Sequence, residues 1–311
     1  LDDVDLLYKG MSIEDDSFWE RFPQVDSWSE SGSTYYRIKR IEGDDWFPNQ
    51  CIVIGEGDGI EAIVIEVSDE FTVLKLVTDY QSGKNSVWGI QARNREQNFA
   101  LNLLVDPEID FVTLMGIAGT GKTLLTLAAG LAMTMDEKIY NEVIVTRATV
   151  SIGDEIGFLP GTEEEKMTPW MGALMDNLEV LTDAEGYTDW EKESTQQLLS
   201  KRIKIKSMNF MRGRTLNNAY AILDEAQNAT SSQLKMFLTR MGLYSKFFVT
   251  GDITQIDLPI NVQSGLKHVM GVLKKVNEIH FTIFESKDVV RHPIVQRIVE
   301  AYNKHENDGE K

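Results

Sequence analysis

The residues Gly116-Ile117-Ala118-Gly119-Thr120-Gly121-Lys122-Thr123 are spaced as a G-x-x-x-x-G-K-T loop, a pattern that wraps a phosphate. Glycines let successive backbone N–H groups turn inward on one anion, and a helix beginning at the loop adds the positive end of its dipole. Lys122 is then placed to reach the β and γ phosphates, and the Thr123 hydroxyl to join the shell of a Mg²⁺ ion. ATP and Mg²⁺ are the expected cofactors. Gly116, Ala118, Gly119, Thr120, Gly121, Lys122 and Thr123 are the expected nucleotide contacts.

A second group lies about a hundred residues on, in Tyr220-Ala221-Ile222-Leu223-Asp224-Glu225-Ala226-Gln227-Asn228. An apolar strand ending in two carboxylates offers one, Asp224, to the metal and the other, Glu225, as general base for an attacking water. A base beside a metal carboxylate implies hydrolysis rather than binding alone. A third group, Gly251-Asp252-Ile253-Thr254-Gln255, follows another apolar run, where Asp252 and Gln255 could sense the γ-phosphate and relay its loss.

These groups need elements to hold them. Phe111 to Met115 reads as a strand running into the loop, and Leu124 to Met135 as the helix leaving it. Further apolar runs, Glu142 to Thr146, Ala219 to Leu223, Phe247 to Thr250 and Ile279 to Phe284, are rich in Val, Ile and Phe. Continuous runs of this kind predict a parallel sheet covered by helices on both faces, hence an α/β nucleotide-binding domain over 87–311. An acidic, mostly helical insert occupies about 153–200.

Ahead of it, Thr34 to Ile41, Gln50 to Ile54, Ile60 to Val67 and Phe71 to Val77 read as strands of a small antiparallel meander or barrel over 33–86. That region is acidic and shows no basic-aromatic face, so its expected role is structural or regulatory. Residues 1–32 read as an acidic helical or linker segment whose Phe18, Trp19, Phe22 and Trp28 pack against the next domain.

Composition bounds the partners. The net charge is −18, and residues 1 to 90 carry 7 basic against 19 acidic residues. A field of that sign repels polyanions, so a nucleic-acid partner needs a local basic surface. Lys201 to Arg214 supplies one, with six positive charges and no acid. Within it Lys204 and Lys206 alternate with Ile203 and Ile205 as in a strand with one cationic face; Phe210 could stack on a base, and Arg212 and Arg214 extend the charge. The lone Cys51 excludes an internal disulfide framework and suits a reducing cytoplasm. No 18-residue apolar span is present, which argues against a membrane role. The four histidines show no ligand spacing, so no zinc site is expected. The chain begins at Leu1 rather than Met, as a piece of a longer protein would.

Asp224-Glu225-Ala226-Gln227-Asn228, Lys235-Met236-Phe237-Leu238-Thr239-Arg240, Gly251 to Pro259 and Met211-Arg212-Gly213-Arg214-Thr215 together resemble the PhoH family of bacterial ATPases. Ile156 to Gly161 and Asp288-Val289-Val290-Arg291-His292-Pro293 match it too, so the resemblance covers roughly residues 87 to 302. It implies a RecA-like core similar to the first motor domain of superfamily 1 helicases, a role in RNA metabolism, and assembly into hexameric rings.

Asn94 to Leu101 resembles the longer members, in which a PIN-type ribonuclease domain precedes the ATPase; no such nuclease core is recognisable here. By likeness to the helicase adenine motif, Gln97 reads the base, aided by Asn94. With no second motor domain in view, either a neighbouring subunit supplies an arginine, Arg291 first, then Arg240 or Arg147, or hydrolysis is slow. The resulting expectation is an ATP-driven ring motor on single-stranded RNA. The alternative is an ATP-gated adaptor that controls a nuclease or ribosome-maturation partner without translocation.

Overall fold

A computed structural model of the chain describes residues 11–41, 43, 46–55, 57, 59–148, 172, 176–181, 199, 201–259, 262–273 and 280–284. Two six-stranded sheets organise them. The N-terminal sheet holds β1 (Met11–Glu14), β2 (Val25–Glu30), β3 (Ser33–Lys39), β4 (Cys51–Ile54), β5 (Ile60–Val67) and β6 (Phe71–Leu76), in the order β1-β4-β5-β6-β3-β2, with a one-turn helix α1 (Phe18–Arg21) after β1.

Every pairing in it is antiparallel except β1 with β4, and among the described residues the sheet stays open, with β1 and β2 at its edges. This corrects the reading of residues 11–32 as helix and linker. Val-Asp-Ser-Trp-Ser-Glu is a strand although four of its six side chains are exposed, because it is an edge strand paired throughout with β3. The four aromatic residues part company: Trp19 packs at the margin of this sheet's core, and Trp28 lies on β2, half-buried. Phe18 and Phe22 are buried against Trp46 in the core of this sheet.

Cross-strand pairing also assembles a cationic-aromatic row that the linear sequence hides. Trp28 stacks on Tyr35 at 5.3 Å, and the Arg37 guanidinium lies over the Trp28 ring at 5.4 Å and the Phe71 ring at 5.1 Å.

The second sheet is parallel throughout. It contains β7 (Phe111–Gly116), β8 (Glu142–Arg147), β9 (Ile203–Ile205), β10 (Ala219–Asp224), β11 (Lys246–Gly251) and β12 (His280–Phe284), in the order β12-β7-β11-β10-β8-β9. All six residues of each of β7, β10 and β11 are buried, as strands covered on both faces must be. Alternation sorts them into two layers. Val112, Leu114, Ile222 and Phe248 face one core with α2 (Arg95–Val105) and α3 (Lys122–Leu131); Phe111, Met115, Leu223 and Val249 face the other with α4 (Ser231–Leu238) and α5 (Gly265–Leu273).

The two sheets meet through α2. Cys51, Val53 and Ile63 of the small sheet share a core with Phe99 and Leu103. Glu61 of β5 accepts from Arg95 Nε at 2.8 Å and from Asn98 Nδ2 at 2.9 Å. The helix that borders the phosphate loop is thus fixed from behind by the small sheet.

Candidate nucleotide site

Strand order sets the site. One strand, β11, separates the loop strand β7 from the Asp-Glu strand β10, and all three end on the same side of the sheet. Ligand crevices of open parallel sheets form at these carboxyl ends. Gly116, at the end of β7, has φ 153°, and a Cβ there would lie 2.6 Å from Phe284 Cβ, so only glycine fits. Gly121 caps α3 with φ 86° and no side-chain hydrogen bond, leaving the first N–H groups of the helix to face the loop interior.

The Lys122 ammonium donates to Gly116 O at 2.6 Å and Ile117 O at 2.9 Å. Thr123 Oγ1 donates to Asp224 Oδ1 at 3.2 Å, which brings the loop and the acidic strand end together across 101 positions of sequence. Thr250 Oγ1 donates to the same oxygen at 2.6 Å. The hydroxyl of Thr123 and the carboxylate of Asp224 form the all-oxygen donor pair that suits Mg²⁺, an ion that takes one or two protein carboxylates and completes its octahedron with substrate phosphates and water.

Glu225 follows Asp224 in the left-handed region at φ 52°. Its Oε2 accepts from Gln227 Nε2 at 2.6 Å, and its Oε1 lies 3.7 Å from Arg147 Nη2. Beyond β11, Asp252 Oδ1 accepts from the backbone and hydroxyl of Thr254, at 2.9 and 2.6 Å, while Gln255 N donates to Asp252 O at 3.1 Å.

A cavity of about 350 Å³ opens here. Ala118, Gly119, Gly121, Lys122, Thr123, Asp224, Glu225, Asp252 and Gln255 line it together with Leu124, Asn177 and Gly251. Its volume lies in the range of small-ligand sites.

Four of the expected nucleotide contacts do not line the cavity: Gly116, at the end of β7; Thr120, buried with its hydroxyl donating to Ile117 O at 3.0 Å; and Gln97 and Asn94. Gln97 is buried and braces the loop, with Nε2 donating to Thr120 O at 3.1 Å and Oε1 accepting from Arg93 N at 2.9 Å. Asn94 is the N-cap of α2, accepting from Gln97 N at 2.9 Å. Neither residue is among those lining the cavity.

Arg147 stands at the site beside Glu225, whereas Arg240 lies near Leu216 and Arg214, on the side where β10 begins. Arg291 is outside the described residues, as is most of the insert. Asn177 belongs to a described helical stretch of that insert, 176–181, and nothing local in the sequence announced that it would reach the cavity.

Away from the cavity, Ile203–Ile205 is a strand as its alternation predicts, at the outer edge of the parallel sheet. Lys204 and Lys206 are half-buried, and Phe210, Arg212 and Arg214 are exposed on the turn that follows. None of the four cations is in an ion pair with another described residue. Among the described residues no cluster of His, Cys, Asp or Glu could hold a metal ion by itself, and no helix is long and apolar enough to cross a membrane.

A RecA-like parallel sheet with this loop and this acidic strand end defines a P-loop NTPase. Residues 89–303 match the family model described as PhoH-like protein, and the chain belongs to the PhoH family. A PhoH-like protein of Bacillus subtilis is 38% identical over 254 residues, covering 81% of this chain and 76% of the relative. One of Mycobacterium tuberculosis is 44% identical over 196 residues, 63% of this chain and 53% of that protein. The chain therefore spans about half the length of the mycobacterial relatives it matches. Among solved structures, Pif1 helicase from Candida albicans is similar over 68% of this chain and 43% of its own, at 14% identity and a TM-score of 0.36, too slight to bear on function.

Proposed function

We propose that the chain is a Mg²⁺-dependent ATPase coupled to single-stranded RNA, working as a ring in which a neighbouring copy completes each site. The observation that carries the hydrolytic part is the Thr123–Asp224 hydrogen bond at 3.2 Å, with Glu225 the next residue along. Lys122 exchanges the carbonyls of Gly116 and Ile117 for phosphate oxygens when the loop wraps the triphosphate. Thr123 and Asp224 would hold Mg²⁺, which would supply positive charge to the phosphates. Glu225 orients a water in line with the γ-phosphorus and takes its proton as the bond to ADP breaks. Asp252 and Gln255 register the presence of the γ-phosphate, and Gln97 keeps the loop and the adenine side of the site in register.

Charge supports the ring. Among the described residues lining the cavity, Lys122 is the only cation against three carboxylates. Transferring a phosphoryl group calls for more positive charge than that; Arg147 stands beside Glu225 in cis, and an arginine in trans, Arg291 in this reading, would add to it. Lys204, Lys206, Phe210, Arg212 and Arg214 are the RNA contacts, with six copies around a pore raising a local field that an acidic exterior would otherwise oppose. A PIN-type nuclease domain in a full-length protein is a natural partner in cis.

The test is phosphate release by the purified chain with and without single-stranded RNA, beside its mass in solution. RNA-stimulated turnover by a hexamer is expected. RNA-indifferent turnover by a monomer contradicts this reading and favours the nucleotide-gated adaptor.

A further inference from the structure

Gln227 has no accessible surface, and both ends of its amide are used. Nε2 donates to Glu225 Oε2 at 2.6 Å, and Oε1 accepts from the backbone N–H of Asp252 at 3.0 Å. One carboxamide therefore joins the water-activating carboxylate to the first residue of the γ-phosphate loop.

The surroundings hold this bridge in place. Ser264 Oγ donates to Gln227 O at 2.8 Å, and Gly251 must be bare beside it, since a Cβ there would lie 3.0 Å from Gln227 Oε1 and 2.6 Å from Leu266 Cδ2. The turn it grips is internally braced through Asp252, Thr254 and Gln255. Glu225, by contrast, sits on a left-handed backbone, and its other oxygen meets Arg147 at 3.7 Å with both side chains about one-third exposed. A long, wet ion pair of that kind fixes a carboxylate poorly. The short hydrogen bond from Gln227 fixes it well.

We infer that Gln227 is a positioning residue that makes the placement of Glu225 depend on the Asp252–Gln255 loop. The loop's response to the γ-phosphate is passed to the base through the amide. The inference rests on the reading of Glu225 as general base.

Two variants of the full chain separate this role from a structural one. Gln227→Glu keeps an acceptor for Asp252 N but sets a like charge against Glu225; Gln227→Met fills the same space with no polar end. Single-turnover phosphate release, affinity for a fluorescent ATP analogue and the thermal midpoint are read for each.

Both variants should lose at least about tenfold in rate while nucleotide affinity stays within about twofold. Wild-type rates in both variants overturn the inference. So does a loss of rate matched by equal losses of affinity and thermal midpoint, which marks a structural role. Glu225→Gln is run in parallel. If it is inactive while the Gln227 variants are normal, only this inference fails; if it turns over normally, the general-base reading fails and takes the inference with it.

Discussion

Thr250 donates its hydroxyl to Asp224 Oδ1 at 2.6 Å, the same oxygen that accepts from Thr123. The contact crosses from β11 to β10 and fixes the rotamer of a carboxylate with 6% exposure. Thr250→Val keeps the shape and removes the donor. Groups that orient a metal ligand typically matter by about 10–100-fold in metal affinity or activity. The Mg²⁺ concentration for half-maximal turnover should rise by about that factor with the fold unchanged; an unaltered Mg²⁺ dependence would free Asp224 from Thr250.

Gln97 is predicted to act on the loop before it acts on any base. Gln97→Ala leaves the buried Thr120 O without the amide, and unpairing a buried backbone group costs about 1–3 kcal/mol. Denaturant midpoints should fall accordingly, with weaker binding of ATP and GTP alike. If binding to ATP alone weakens, Gln97 reads adenine directly.

Lys246 gives a pH dependence of defined sign. It is fully buried at the start of β11 and donates to Leu103 O at 2.7 Å and to Asp106 O, capping the end of α2. Burial drives its pKa from 10.5 down to about 7, against the opposing pull of Asp106 and Asp110. Between those values the unfolded chain holds a proton that the folded chain does not, so stability rises with pH across the window and the full cost is felt below about 7. Relative to Lys246→Met, the wild type should gain about 2 kcal/mol between about pH 7 and about pH 9 in urea unfolding. A pH-independent difference would mean the amine stays charged in the folded chain as it does in the unfolded one.

Gly130 sets two effects against each other. Alanine is favoured over glycine within a helix by about 1 kcal/mol, but a Cβ here would lie 2.9 Å from the ring of Tyr220, which is itself stacked on Phe248 at 4.1 Å. Overpacking a rigid aromatic pair costs about 1–3 kcal/mol, so Gly130→Ala should lower the thermal midpoint. A rise would show that the ring yields.

The parallel sheet was legible because strands covered on both faces read as unbroken apolar runs; Ala219–Asp224 and Lys246–Gly251 each differ from the sequence reading by one or two end residues. β2 was not legible, since an edge strand with wet faces carries the composition of a loop. β1 was not either: its four residues pair in parallel with β4, nearly forty positions away. Lys122, Thr123, Asp224 and Glu225 stood out because their types and spacing carry chemistry locally. Thr250, Gln227 and Asn177 did not. Their roles come from adjacency across strands or from the insert, and a threonine in a strand or a glutamine after Asp-Glu has no one-dimensional mark of it.

The central claim is that the Asp-Glu strand end turns a binding loop into a hydrolytic site, and phosphate release by Glu225→Gln tests it most directly. The carboxamide keeps the shape and can hold the contact to Gln227 but cannot take a proton. Turnover should fall by about 10²–10⁴-fold while ATP still binds. Release of phosphate at the wild-type rate would contradict the account.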